Sequence, residues 1–342
     1  MITEDFEQGQ IRPPDEADSL LIRTTRGCPW NRCTFCTLYK GIKFSIRSVA
    51  EIKKDILTAQ KVYNERKVER CFLQDGDSFT MKTHDLVEIL HALKEAFPSI
   101  KQISSYGRAQ TMLRKSPTEI KEIGDAGLNV LYCGMESGSD EVLKKVRKGV
   151  TAEALLASSI NAKNAGMDIL LFTILGLGGK ELTQSHADDT ARLINLIDPA
   201  VVRILSLAVN PGTALDTMVQ EGTFTMLSEV EMIKEQQMIV NQLDGIHSKY
   251  VNYHAVNLLT ELRGQLPQDK INLLSTIGRF MALSYEDQLN FIFGRRRGYY
   301  SHLDDMQQRD RYALISIEMN KYQEKYPGQL EAFFHACRRS WI

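Results

Sequence analysis

Three cysteines lie within nine residues of one another, and their spacing suits the binding of one metal centre. They are Cys28, Cys33 and Cys36, in a C-x4-C-x2-C arrangement. Thiolates at such spacing wrap a single centre from one loop. Three ligands are one short of a closed site, so a four-iron cluster held here keeps one iron open for a non-protein ligand. An iron–sulfur cluster is the favoured interpretation. A zinc site and a set of redox or structural thiols are the alternatives.

The other cysteines are scattered, at Cys71, Cys133 and Cys337, which speaks against a second cysteine-rich cluster. The N-terminus is acidic and polar, so we expect neither a secretory signal nor a transit peptide. We therefore predict a cytoplasmic protein, in which disulfides are not expected.

The elements that position these cysteines alternate between short apolar runs and helical patterns. A serine capping box at Ser48 and the pair Ser116-Pro117 each predict the start of a helix. Thr151 predicts another, and apolar spacing predicts helices from Thr83 and Thr183. The predicted strands are 20–24, 70–74, 102–106, 129–133, 168–174 and 201–207.

Six β-then-α units in succession predict an α/β fold with parallel strands. We interpret it as a partial (β/α)6 TIM-like barrel with a helical C-terminal extension. The predicted divisions are an N-terminal arm at 1–18, a core domain at 19–215 and a mostly helical extension at 216–342. Ligands of such folds gather at the carboxyl ends of the strands, and the cysteines, an Asp-Gly-Asp turn at 75–77 and Gly134 to Gly138 all fall there.

The composition limits the partners. The chain has 342 residues, 43% of them hydrophobic, and a formal net charge of −1. This balance argues against a chain built to coat nucleic acid, and a nucleic-acid partner is not expected. The longest apolar run, 169–175, is too short to span a bilayer, so no membrane partner is expected.

Residues 19–215 resemble the radical S-adenosylmethionine (SAM) enzymes. The segments that carry the resemblance are RGCPWNRCTFC, DGD at 75–77, ESG at 136–138 and PGT at 211–213. The pattern is similar to the branch of elongator, methylthiotransferase and nitrogenase-cofactor enzymes, and most similar to uncharacterised iron–sulfur oxidoreductases. The commonest cysteine spacing of that family is C-x3-C-x2-C, and this chain has one more residue in the first gap.

The resemblance implies a [4Fe-4S] cluster on the three cysteines, with SAM on the open iron. The cluster would cleave SAM reductively, and the resulting 5′-deoxyadenosyl radical would take hydrogen from a substrate. It also implies an external electron donor of the flavodoxin or ferredoxin type. No residue is predicted to act on the substrate directly.

The resemblance further implies contacts to SAM. Asp75, Gly76 and Asp77 would receive its ammonium group, Glu136 its ribose or amino acid part, and Arg147 its carboxylate. The alternative for the first three is an ordinary turn, and for Arg147 a solvated cation at a helix end. The remaining predicted cofactor contacts are Phe35, Ser104, Arg108 and Gly176.

Two motifs beyond the core domain have open interpretations. His254 and Asn257 could face the barrel mouth or form a buried polar pair in a connector. The cluster Gly294 to Tyr300 contains three consecutive arginines. It could bind a phosphate, a carboxylate or RNA, or be a solvated loop that balances Asp304 and Asp305.

The favoured function is a radical SAM enzyme that acts on an unidentified small molecule or peptide. The alternatives are radical modification of tRNA or protein, and a non-catalytic iron–sulfur electron carrier.

Overall fold

The structure is a computed structural model that describes residues 6–64 and 66–341. The chain divides into two compact units, Met1–Gly134 with Gly149–Leu171 and Met135–Lys148 with Phe172–Ile342. Residues 1–5 of the predicted arm and residue 342 of the predicted extension lie outside the described residues.

The strands and helices follow the alternation expected from the sequence. The strands are β1 (Leu20–Arg23), β2 (Thr25–Arg26), β3 (Ser45–Ile46), β4 (Arg70–Gln74), β5 (Gln102–Tyr106), β6 (Leu128–Glu136), β7 (Asp168–Leu175), β8 (Val201–Ser206), β9 (Lys249–Val251) and β10 (Arg263–Gln265). The helices are α1 (Val49–Tyr63), α2 (Thr83–Ala96), α3 (Ala109–Met112), α4 (Pro117–Ala126), α5 (Asp140–Lys145), α6 (Ala152–Asn164), α7 (Thr183–Ile197), α8 (Ala214–Gln220), α9 (Glu229–Gln242), α10 (Lys270–Met281), α11 (Tyr285–Arg296), α12 (Arg309–Lys325) and α13 (Leu330–Arg339).

In the first unit, β1, β4, β5 and the start of β6 pair in that order, all in parallel. Leu20 lies opposite Cys71, and Ser104 lies opposite Val130. Parallel strands are buried on both faces by their crossover helices, so they read as continuous apolar runs. The short strands β2 and β3 pair antiparallel and close a separate loop between them.

The helix starts of the first unit are fixed by the capping residues named from the sequence. The side chain of Ser48 accepts from the backbone N–H of Glu51, and that of Ser116 accepts from Glu119. Thr151 accepts from Ala154. Such caps satisfy N–H groups that have no partner within the helix. The helices consequently begin where the sequence predicts.

In the second unit, β8 pairs parallel with β9, and β9 pairs antiparallel with β10. Both β9 and β10 lie in the region predicted to be mostly helical, and the sequence analysis did not predict them. Each has three residues, which is too short for an alternating pattern to be read. Helix α9 packs against both α7 and α10, and α11 contacts α12 and α13.

Within the arginine cluster, Arg296 is part of the second unit's core, whereas Arg297 is exposed. Arg296 ends α11, is 5% exposed, and donates to both carboxylate oxygens of Glu229 at 2.8 and 2.7 Å. Arg338 joins the same carboxylate at 3.1 Å. Both earlier interpretations are therefore wrong for Arg296, which is already committed to an internal ion pair.

The structure confirms the α/β class, with parallel strands followed by helices and a helical C-terminal region. The six predicted strands are present as β1, β4, β5, β6, β7 and β8. The predicted domain boundaries at 18 and 215 stay predictions. None of the helices formed by residues 6–64 and 66–341 combines the length and apolar character that a bilayer span requires.

Candidate functional site

The three cysteines of the motif lie on one loop of the first unit, between β2 and β3. The pairing of Thr25 with Ile46 and of Arg26 with Ser45 closes the base of this loop. Cys28, Cys33 and Cys36 take part in no disulfide and are of intermediate exposure. Phe35 stands between the last two and is half-buried. We call residues 27–44 the cysteine loop.

Gly76 contacts the start of the cysteine loop. Its N–H donates to the carbonyl of Gly27 at 3.3 Å. A Cβ atom at this position would lie 2.8 Å from that carbonyl oxygen and 3.2 Å from Cys28 Cα. The close approach of two backbones is the reason why a glycine is needed here. Gly76 thus lies against Cys28, and its predicted contact to SAM stays a prediction.

Asp75 holds the same end of the cysteine loop through its carboxylate. One oxygen accepts from Arg23 Nη2 at 2.6 Å and from the backbone N–H of Gly27 at 3.1 Å. The other oxygen, Oδ1, is buried and has no hydrogen-bond partner among the described residues. Asp75, which is a predicted contact to SAM, therefore also holds the cysteine loop in position.

Asp77 is fully buried and faces a helix end. Its Oδ1 accepts from the backbone N–H of Phe79 at 3.1 Å, and its other oxygen accepts from the hydroxyl of Thr111. Burial raises the pKa of Asp77 to about 7, against hydrogen bonds that lower it. A carboxyl with such a pKa can exist in either protonation state near neutral pH.

Arg108 lies directly beside the first cysteine. Its Nη1 is 3.6 Å from Cys28 Sγ, and its guanidinium carbon is 5.6 Å from the ring centre of Trp30. The structure thus places a cation within reach of a thiol of the motif. Arg108 was predicted from its position at the end of β5, and the structure brings it to the cysteine loop.

Tyr39 is a residue of the cysteine loop that the sequence analysis missed. It is 4% exposed, and its hydroxyl has no hydrogen-bond partner within the part of the chain that the structure describes. Burial and the neighbouring Asp75, Cys28 and Cys36 raise its pKa far above the usual value. The signal was its place three residues after Cys36.

Ser104 lies in a different polar network of the same unit. Ser104 lies in the middle of β5, and its hydroxyl donates a hydrogen bond to Glu16 Oε1 at 2.9 Å. Glu16 is fully buried and also accepts from Arg70, Gln102 and Tyr132. The hydroxyl of Ser104 is thus engaged with the N-terminal arm, and its predicted contact to SAM stays a prediction.

The second unit carries Glu136, Arg147 and Gly176. Glu136 ends β6 with a left-handed φ of 64°, and Lys148 Nζ lies 2.7 Å from its Oε1. Arg147 also has a positive φ, of 53°. Gly176 follows β7 and donates its N–H to Glu235 Oε2 at 2.6 Å. Positive φ in non-glycine residues is uncommon and is concentrated at functional positions.

A buried histidine and glutamate hold the strand ends of the second unit, and the sequence analysis missed both. His186 Nδ1 lies 2.8 Å from Ser137 Oγ, and its Nε2 donates to the carbonyl of Ile174 at 3.1 Å. Glu235 accepts from Gly176 and, at 2.6 Å, from the hydroxyl of Thr183. Both lie inside helices whose apolar patterns gave no separate signal.

The connector motif after β9 is a buried polar cluster. Asn257 donates to the carbonyl of Ile204 at 2.7 Å, and its Oδ1 accepts from Ser206 at 3.0 Å. These contacts agree with the interpretation of Asn257 as a buried polar residue of a connector. Burial and the neighbouring Arg203 lower the pKa of His254.

A cleft of about 770 Å³ borders the cysteine loop within the first unit. Its lining includes Pro29, Phe44 and Ile46, together with residues from the starts of α2 and α4. The lining includes Lys82, Arg114 and Lys115 as well as Glu119 and Glu122. The lining of the cleft therefore combines apolar side chains with charged groups of both signs.

The first unit brings together Cys28, Asp75, Gly76 and Arg108. Among residues 6–64 and 66–341, no group of three or more His, Cys, Asp or Glu side chains is placed so that it could already hold a metal ion. Metal binding and the ordering of its ligands are coupled, since the thiols must also lose their protons.

The comparisons with known proteins identify the family. The sequence profile of the Radical SAM superfamily matches residues 22–194, and the chain belongs to this superfamily. Its cofactors are those of the family, a [4Fe-4S] cluster and SAM. The chain is a radical SAM enzyme. The three thiols suit the cluster by their donor chemistry, and Gly76 and Arg108 lie beside the first of them.

Two curated relatives extend the comparison. An uncharacterised methyltransferase of Pyrococcus horikoshii is 26% identical over 197 residues, which cover 57% of this chain and 40% of the relative. The bacteriochlorophyllide d C-8(2)-methyltransferase of Chlorobaculum tepidum is 28% identical over 162 residues, or 45% of this chain and 35% of that protein. The chain thus spans about two fifths or less of each of these relatives.

A solved structure supports the fold. The cobalamin-dependent SAM radical enzyme OxsB has a TM-score of 0.52 to this chain at 14% identity, covering 94% of this chain and 58% of the other. At this identity the likeness concerns the fold alone, and it agrees with the predicted (β/α) type.

Proposed function

We propose that Cys28, Cys33 and Cys36 hold the cluster of this enzyme, which acts by hydrogen abstraction on a small molecule or a peptide. The observation that carries the proposal is the cysteine loop itself, whose first thiol is set by Gly76 and lies 3.6 Å from Arg108. When bound, the cluster and SAM supply one-electron cleavage and a 5′-deoxyadenosyl radical.

The chain's own residues balance the charge of the thiolates and hold the cysteine loop in place. Arg108 compensates the negative charge of the thiolates, and Asp75 fixes the loop through Gly27. Glu136 and Gly176, at the carboxyl ends of β6 and β7, are proposed contacts for SAM. Their support is their backbone conformation and their place at strand ends.

An external one-electron donor is part of the proposal, and we infer a flavodoxin or ferredoxin type. Exposed Arg32, Lys40 and Lys43 on the cysteine loop suit an acidic partner. A reducing compartment suits the thiols, so we propose the cytoplasm as the place of action.

The test is the formation of 5′-deoxyadenosine by protein reconstituted without oxygen and supplied with SAM and dithionite. Replacing any one of the three motif cysteines by alanine should reduce the product to background, because each thiolate holds one iron. Cys337→Ala is the matched control, since it removes a thiol of intermediate exposure outside the loop. Product formation that survives all three motif replacements would contradict the cluster assignment.

A second candidate is transfer of a methyl group, and the names of the two curated relatives favour it. The same reaction mixtures distinguish the two, because methyl transfer from SAM yields S-adenosylhomocysteine as well. That product appearing in a substrate-dependent manner would favour the second candidate. Its absence with every substrate that is consumed would leave hydrogen abstraction alone.

A further inference from the structure

Tyr39 has an unusual combination of burial and an unsatisfied hydroxyl. Its side chain is 4% exposed, and Oη has no hydrogen-bond partner among residues 6–64 and 66–341. The backbone is well held, since the carbonyl of Tyr39 accepts from Asn31 Nδ2 at 2.7 Å. The ring therefore has a defined place, and the hydroxyl alone lacks a partner.

Other buried tyrosines in the described part of the chain do have partners. Tyr132 donates to Glu16 at 2.6 Å, the hydroxyl of Tyr250 lies 2.8 Å from Gln236 Nε2, and Tyr300 donates to Asn290 at 2.9 Å. Buried hydroxyls are paired as a rule, because leaving one unpaired costs the full loss of its hydration. The exception at Tyr39 thus calls for an acceptor that arrives with a ligand.

The surroundings of Tyr39 indicate which acceptor that is. Asp75, Tyr106, Cys28 and Cys36 are the neighbouring groups that act on its hydroxyl electrostatically, and the last two are cysteines of the motif. One oxygen of Asp75 already accepts from Arg23 and Gly27, and the hydroxyl of Tyr39 makes no hydrogen bond to its other oxygen, the buried Oδ1. The sulfurs of Cys28 and Cys36 become negatively charged acceptors when the thiols lose their protons to bind metal.

We propose that Tyr39 donates a hydrogen bond to a sulfur of the cluster held by Cys28, Cys33 and Cys36, and that this bond raises the reduction potential of the cluster. The inference rests on the proposed function of the cysteine loop. Hydrogen bonds to the sulfurs are among the factors that set such potentials. An added electron makes the sulfurs more negative, so a donor stabilises the reduced cluster more than the oxidised one. Tyr39 is thus a tuning residue that touches no substrate.

The test is a redox titration of the reconstituted cluster, followed by electron paramagnetic resonance without oxygen. Tyr39→Phe removes the hydroxyl alone, and its midpoint potential should be more negative than that of the unmodified protein. Tyr250→Phe is the matched control, because it removes a buried hydroxyl in the other unit and should leave the potential unchanged. A fully loaded Tyr39→Phe protein with an unchanged potential would overturn the proposal.

A second measurement tests the proposal if the Tyr39→Phe variant fails to fold or to bind the cluster. 3-Fluorotyrosine at position 39 keeps the shape of the side chain and is a stronger donor, so the potential should become more positive. No positive shift would overturn the proposal. Iron and sulfide content separates this inference from the proposed function. Unmodified protein that loads no cluster contradicts both, whereas a loaded cluster that is insensitive to position 39 contradicts the inference alone.

Discussion

At the scale of single residues, buried carboxylates organise both units. Glu16 is fully buried and receives hydrogen bonds from Arg70, Gln102, Ser104 and Tyr132. It belongs to the short 3-10 turn Pro14–Glu16, inside the segment predicted as an extended arm. A buried carboxylate is stable when its oxygens are fully hydrogen-bonded, and that condition is met here. Glu16 therefore fastens the N-terminal arm to strands β4, β5 and β6.

Replacing Glu16 by alanine should lower the free energy of unfolding by about 3 kcal/mol, because several buried donors lose their acceptor. Urea unfolding of the first unit's transition measures this change. Asp18→Ala is the control, since Asp18 is an exposed acid of the same arm and should change stability by less than about 0.5 kcal/mol. Equal effects of the two replacements would show that the Glu16 network does not hold the arm.

At the scale of elements, the turn after β4 and the cysteine loop are fitted to each other. The carbonyl of Gly27 accepts from Gly76, and its N–H donates to Asp75. Two successive residues of one turn thus fix the residue that precedes Cys28. This contact is a physical reason for the acid–glycine pair that follows β4 in this chain. The turn positions the metal-binding loop, whatever further contacts it makes with SAM.

Gly76→Ala should displace the start of the cysteine loop, because the new Cβ would lie 2.8 Å from the carbonyl oxygen of Gly27. Overpacking of this kind costs about 1–3 kcal/mol, and we expect a reduced iron content after reconstitution. Gly278→Ala in α10 is the control, since no atom lies within 4 Å of its added Cβ. Full iron content in the Gly76 variant would contradict the role of this contact.

At the scale of the whole molecule, the near-zero net charge conceals an uneven distribution. The chain has a formal charge of −1, yet between Asp18 and Glu51 it contains six Arg or Lys residues and no Asp or Glu. Arg23, Arg26 and Arg47 of this segment are paired with acids elsewhere in the first unit. The exposed Lys40 and Lys43 form no ion pair within the described residues. The cysteine loop therefore presents uncompensated positive charge.

Reversing this charge should slow reduction by an acidic protein donor. With Lys40 and Lys43 both changed to glutamate, we expect about a tenfold lower rate of 5′-deoxyadenosine formation with flavodoxin or ferredoxin, and an unchanged rate with dithionite. Lys321→Glu, on exposed α12, is the control for a charge reversal placed elsewhere. If the protein donor and dithionite give the same rates with all variants, the donor does not use this surface.

The local signals in the sequence were strong for the elements and for the thiols. Capping residues and apolar runs act within a few residues, so the starts of α1, α4 and α6 and the six main strands could be predicted. The short strands β9 and β10 could not, because three residues carry no periodicity. The interpretation was wrong for Arg296, since a run of like charges is usually solvated and nothing local shows that Glu229 lies opposite Arg296.

The family, the parallel α/β class and the spacing of the three cysteines could be predicted from the sequence alone, because each depends on the type and spacing of neighbouring residues. The distant groups that contact these cysteines became visible only in the folded chain. Arg108 lies against Cys28, Tyr39 has a buried hydroxyl without a partner in the described part of the chain, and Ser104 is bound to Glu16. Burial and pairing between distant residues depend on how strands and loops pack. No local pattern records that packing, since a side chain's partners can lie eighty or more positions away.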